Sequence, residues 1–107
     1  MTPAVKPETK REAPELETIR PSEALRTGAQ MVEGQCLHSY FDGAKACAYG
    51  AMMLGYGFSR KELGKASIHI EPRLRDGGLR IGQIEDWNDG KCFSFEEIAV
   101  RLEQLGL

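Results

Sequence analysis

Thirteen consecutive uncharged residues, ACAYGAMMLGYGF at positions 46–58, constrain this chain more than any other stretch. They include one cysteine, two methionines and three glycines, in a chain that is 28% charged as a whole. Such a run belongs inside. Residues 44–56 read as a central helix with Cys47, Gly50, Ala51 and Leu54 along one face and Met53 beside it, ended by Gly55 and Gly57. The glycines and alanines let a neighbouring backbone approach closely, so the stretch predicts the packing spine of the fold. At about 20 residues per spanning helix, it is too short to cross a bilayer.

A spine of this kind needs elements to close over it, and 107 residues with 41% apolar content supply one modest domain. Residues 1–20 stand apart: Pro3, Pro7 and Pro14 break helices in a mixed-charge stretch where Val5, Leu16 and Ile19 are the apolar anchors. This predicts an extended arm, residues 1–20, followed by a globular domain, residues 21–107.

Within the domain, Pro21, Ser22 as N-cap and Glu23 open a helix. Leu25, Ala29 and Val32 form its stripe with Met31 beside them, and Gly34 is the stop. Residues 35–41 alternate Cys36, His38 and Tyr40 against Leu37, Ser39 and Phe41, which predicts a strand. Asp42-Gly43 is a hairpin signal, with a very short return strand possible before the central helix. Ser59 to Glu62 has capping-box chemistry for a short helical turn to Lys65. Residues 67–71 alternate and predict a strand stopped by Pro72, with a charged loop at 73–78. Residues 79–87 predict a helix touching the core through Ile81, Ile84 and Trp87, then a turn at 88–91. The last helix has Ser94 as N-cap, Glu97 three later, Ile98, Leu102 and Leu105 inward, and Gly106 past its end. The fold class is therefore α+β and predominantly helical: four to five short helices around the Ala/Gly/Cys helix, with a minor β-hairpin or two-stranded sheet.

Charge narrows the function classes. The formal net charge is −2 and the pI about 5.7, which does not favour nucleic acid as an obligatory partner. The distribution is uneven: residues 60–84 carry Arg60, Lys61, Lys65, Arg73, Arg75 and Arg80 against three acids, a balance of +3. Residues 85–107 carry six acids against Lys91 and Arg101, a balance of −4. The two halves pair with each other or present two surfaces to partners. Basic residues of 60–80 keep nucleic acid open as a lesser alternative, although the final helix, with Glu96, Glu97 and Glu103, has the wrong sign for a groove.

Three cysteines without a CxxC pair, and a start without an apolar signal region, predict free thiols and a cytoplasmic setting. Zinc would draw on Cys36, His38, Cys47 and Cys92, with His69 further off, yet the one close pair is Cys36-x-His38, and tetrahedral sites usually arrive as two close pairs. Residues 86–97 resemble a calcium loop: counted from Asp86, Asn88, Phe93, Ser94 and Glu97 fit, but Gly90 and Lys91 break the register by one. A Cys36–His38 nucleophile pair lacks an orienting third group and a glycine-rich oxyanion loop, and glycines 50, 55 and 57 end a helix where a phosphate loop would begin one. The expectation is a non-enzymatic protein without a cofactor.

Three segments carry a family resemblance. Ser22-Glu23-Ala24-Leu25-Arg26 with Gly28, then Ala46-Cys47-Ala48-Tyr49-Gly50-Ala51, then Ile84-Glu85-Asp86-Trp87-Asn88-Asp89 with Ser94-Phe95-Glu96-Glu97-Ile98-Ala99 and Leu102-Glu103 follow in order. In this the chain resembles a set of small bacteriophage and prophage proteins that share an S-E-A-(I/L)-R-x-G opening, a C-A-L-G-A segment and an L-N-D … S-x-E-E-I-A-x-x-L-E ending. The likeness spans most of residues 22–105. The chain departs with Tyr49 and Trp87 in place of leucines and without the CxxC pair between the last two blocks, which removes the zinc site that pair would supply. The resemblance implies a fold and a phage-like origin and carries no activity with it. The functional expectation is a phage-type interaction protein, a virion or assembly component or an accessory factor. It would bind a protein partner, or further copies of itself, through the arm (Val5, Leu16, Ile19) and through Arg60, Lys61, Arg73, Arg75 and Arg80. The alternative is a small metal- or nucleic-acid-binding regulator.

Overall fold

The computed structural model describes Leu16 and residues 18–107. Among the described residues from Pro21 on, five α-helices and a three-stranded sheet of two-residue strands run in the order α1 (Pro21–Ala29), β1 (Gly34–Gln35), β2 (Phe41–Asp42), β3 (Lys45–Ala46), α2 (Ala48–Gly55), α3 (Leu63–Asp76), α4 (Ile81–Glu85), a π-helical turn (Asp86–Gly90) and α5 (Phe95–Gln104). The fold is the expected predominantly helical α+β domain.

The uncharged stretch is the spine. In α2 every residue but Leu54 is buried, as a helix apolar on all sides requires. Its closest neighbour is α1, and the contact is backbone on backbone. A Cβ added to Gly28 would lie 1.6 Å from the Ala51 carbonyl oxygen, and one added to Gly55 would lie 1.7 Å from that of Ala24. Position 28 faces 51 and 24 faces 55, so the two helices run antiparallel with no room for a side chain at either crossing. Helix α5 closes over α1 with Ile98, Ala99 and Leu102, and Arg26 of α1 clamps Glu96 (2.7 Å) and Glu103 of α5 at the surface. Helix α3 lays Ala66, Ile70 and Leu74 on the core, and the Tyr49 hydroxyl meets Ser67 Oγ at 2.9 Å.

The sheet order is β1-β3-β2, with β1 parallel and β2 antiparallel to β3. Asp42-Gly43 makes the expected turn, Gly43 taking a left-handed φ of 62°, and the short return strand is β3. Ser94 caps α5 by accepting from the Glu97 N–H at 3.1 Å, and Gly106 follows that helix with a φ of 83°.

Several expectations need correction. Residues 35–41 are not one strand: the chain leaves β1 after Gln35 and loops through His38, whose φ is 67°, before β2. The central helix begins at Ala48, with Cys47 as its N-cap. Ser22 is not an N-cap. It lies inside the first turn of α1, buried, and donates from Oγ to the Leu107 carbonyl at 3.1 Å. Helix α1 stops at Ala29, before Met31 and Val32, and Met31 is exposed. Residues 67–71 are helical, not a strand, and α3 continues through Pro72 to Asp76. The buried stripe Ala66, Ile70, Leu74 outweighs the local alternation, and Pro72 sits on the exposed side beside Ile68, where the lost backbone hydrogen bond costs least. At the last helix, Leu107 is buried in place of Leu105.

Two residues expected in the arm are not outside the core. Leu16 and Ile19 are core residues, and the Tyr56 hydroxyl donates to the Ile19 carbonyl at 2.9 Å. Val5 lies outside the described residues.

Candidate functional site

The loop between β1 and β2, the N-cap of α2, and the run from α4 into the π-turn enclose a cavity of about 190 Å³ lined by His38, Ser39, Tyr40, Cys47, Tyr49, Glu85, Asn88 and Asp89. One side chain assembles it. Asn88 is 1% exposed and uses its whole amide. Its Oδ1 accepts from the Gln35 side chain (2.7 Å) and the Ala48 N–H (2.9 Å). Its Nδ2 donates to the Cys36 carbonyl (2.9 Å) and to Asp89 Oδ1 (2.7 Å). Four partners on four elements make this amide the pin between the sheet, the start of α2 and the π-turn. The π-turn aims it: the Lys91 N–H reaches back five residues to the Asp86 carbonyl at 2.8 Å, widening the turn between α4 and α5.

The cavity's rim follows from that pin. Asp89 Oδ1 also accepts from the His38 N–H at 2.9 Å, which holds the loop in its left-handed turn. The His38 N–H, and then Asn88, keep the Asp89 carboxyl below its ordinary value, so it is a carboxylate at neutral pH. His38 itself is 78% exposed at the side chain, with Nδ1 3.9 Å from Asp89 Oδ2. Tyr40 donates to Glu85 Oε2 at 2.5 Å, and this hydrogen bond to a carboxylate pushes the Tyr40 hydroxyl well above its usual value. The Tyr40 and Tyr49 rings meet at 5.8 Å with a 58° tilt. Burial pushes Tyr49 up to about 12 and the Cys47 thiol up to about 11, so Cys47 is a neutral thiol that accepts from the Gly50 N–H (3.4 Å).

The sequence-predicted sites fare differently. Cys36 and His38 do not share a strand face, because the left-handed turn at His38 redirects the chain. Cys36 and Cys47 are buried, Cys92 is exposed, and each thiol contacts local backbone: Cys36 the Ser39 carbonyl, Cys47 the Gly50 N–H, Cys92 the Asp89 carbonyl. Among the described residues no group of three or more His, Cys, Asp or Glu is placed to hold a metal ion. In the calcium-like segment, Asn88 is consumed by the amide network, and Glu97 sits in α5 against Arg101 at 3.5 Å.

The basic residues differ in their partners, and Arg75 and Arg80 line one surface pocket together. The Arg60 guanidinium lies 4.7 Å over the Phe41 ring and donates to the Gly43 carbonyl. Arg73 turns toward the Tyr56 ring, Arg75 reaches Glu71 at 3.8 Å, and Lys61 and Arg80 are exposed. The cavity instead lies against the acidic half of the chain. Sequence reasoning treated Asn88-Asp89 as a turn and missed Tyr40, Tyr49 and Glu85. The usable signal was spacing, since Glu85 and Asp89 stand four apart on one helical face next to a polar Asn in an otherwise apolar position. Comparisons with protein-family models, with curated proteins and with solved structures gave no match.

Proposed function

We propose that this chain is a non-enzymatic interaction protein of phage type, a virion or assembly component or an accessory factor, and that a protein partner docks at the cavity between the β1–β2 loop, α4 and the π-turn. The observation that carries this reading is the cavity's size set against its chemistry. About 190 Å³ falls below the roughly 300 Å³ at which pockets begin to enclose a whole small molecule. It suits a group projecting from something larger. Its thiol is kept protonated by burial, and its acids are engaged in holding Tyr40 and the His38 loop, which favours recognition over reaction. The phage-type assignment is supported by the three ordered segments described above. Docking through the arm loses ground, because its inner anchors Leu16 and Ile19 serve the core.

The test is affinity capture with the tagged full-length chain from cells in which it occurs, beside a Ser39→Trp variant that fills the cavity's mouth and is confirmed folded by its amide spectrum. The expected result is one protein recovered in fixed ratio with the wild type and lost with the variant. Equal recovery by both, or no protein above a tag-only control, contradicts the reading.

A further inference from the structure

We propose that the cavity receives a guanidinium group, supplied by an arginine side chain of the docking partner; this rests on the reading that the cavity is where the partner docks. The volume comes first. About 190 Å³ is room for several waters, and so for a planar head group and the end of its stem.

The lining then selects the chemistry. Tyr40 has its proton committed to Glu85, and Asn88 has both amide protons committed to Cys36 and Asp89. Among the described residues, Glu85 Oε1 has no hydrogen-bond partner and Asp89 Oδ2 has only the 3.9 Å contact to His38. What remains for a guest is chiefly acceptors, two of them carboxylates four residues apart, beside one weak donor, the Cys47 S–H, and the His38 imidazole at the exposed rim. A guest with donors and no acceptor fits such a lining, and anions are repelled. Guanidinium has five donors in a flat fork and is more weakly hydrated than ammonium, and the tilted Tyr40–Tyr49 pair adds an aromatic wall.

No lysine or arginine of the described chain lines the cavity, and the one cation-forming side chain there, His38, is 78% exposed and stands 3.9 Å from Asp89 Oδ2. The site is also pre-ordered. Asn88 fixes Asp89 and the start of α2 before any guest arrives, which lowers the ordering cost of binding.

The experiment is an amide-resolved NMR titration of the full-length protein with N-acetyl-arginine amide, with its neutral isostere N-acetyl-citrulline amide, and on the Glu85→Gln variant. Saturable shifts at His38, Ser39 and Asp89 are expected with the arginine probe. Binding should be about tenfold weaker for citrulline and about tenfold weaker on Glu85→Gln, the loss of one charge-assisted contact in each case. Equal shifts with citrulline, shifts spread over the exposed acids of α5, or no response to Glu85→Gln overturns the proposal. If citrulline matches arginine while Ser39→Trp still abolishes partner capture, the guanidinium assignment falls and the docking reading stands. If arginine saturates the cavity while capture is indifferent to Ser39→Trp, the docking reading falls, and with it the partner's arginine as the source, leaving a free guanidine as the guest.

Discussion

The α1–α2 seam and the Asn88 corner both hold this domain together, by opposite means. At the seam, two glycines let backbones meet where a single methyl would overlap a carbonyl. At the corner, one amide makes four hydrogen bonds to sheet, loop, helix start and π-turn. The seam works by leaving side chains out and tolerates nothing added. The corner works through one side chain and leaves a cavity beside it. A dry seam can only be structural, whereas a satisfied polar corner fixes acceptors and rings at a surface opening, which is what a recognition site needs.

The comparison can be broken from the seam side first. Replacing both Gly28 and Gly55 by alanine places a methyl against backbone at each crossing, with a cost of about 3 kcal/mol or more apiece, enough to unfold a domain of ordinary stability. Circular dichroism and urea titration check this, and a double variant that melts like wild type would mean the helices simply slide apart. Next comes the corner. Asn88→Ala leaves the Ala48 N–H and the Cys36 carbonyl without their partner, for a loss of about 3 kcal/mol by denaturant titration, together with the loss of arginine-probe binding.

Raising the pH attacks buried groups of both regions. Cys47 and Tyr49 line the corner's cavity, Tyr56 lies in the core beside the seam, and all three titrate higher folded than unfolded, chiefly through burial. A raised folded value means full stability below the unfolded value and loss as pH climbs toward the folded one. Stability should therefore hold to about pH 9, the ordinary thiol value, and fall progressively toward 11 and 12. A flat profile across that window would contradict their burial. The smallest effect sharpens the contrast: Tyr40→Phe removes one hydroxyl donated to Glu85 and should cost only about 1 kcal/mol.

The spine was legible in the sequence because glycine and alanine in an uncharged run have few other uses, but its seam was not. Gly55 reads as a helix stop and lies inside α2 against Ala24, and nothing local marks Gly28 as the partner of Ala51. The Asp42-Gly43 turn and the Ser94 cap were legible, each being a local rule met by local residues. The corner was not. Asn88 acts through Gln35, Cys36 and Ala48, which are 40 to 53 positions away, and no periodicity encodes such pairings. The α3 helix was misread through Pro72 and the alternating residues 67–71, although Ala66, Ile70 and Leu74 already spelled a helical stripe. The burial of Leu16 and Ile19 was not legible, because two apolar residues in a charged stretch give no sign of whether a partner or the core covers them.

The most direct test of the docking site places a photo-crosslinking residue at two exposed apolar positions in turn. One is Leu37, 42% exposed on the loop beside the cavity, and the other is Ile68, 72% exposed on the outer side of α3. The partner should crosslink from position 37 and not from position 68. Crosslinking from 68 alone would contradict the assignment of the Asn88 cavity as the docking site.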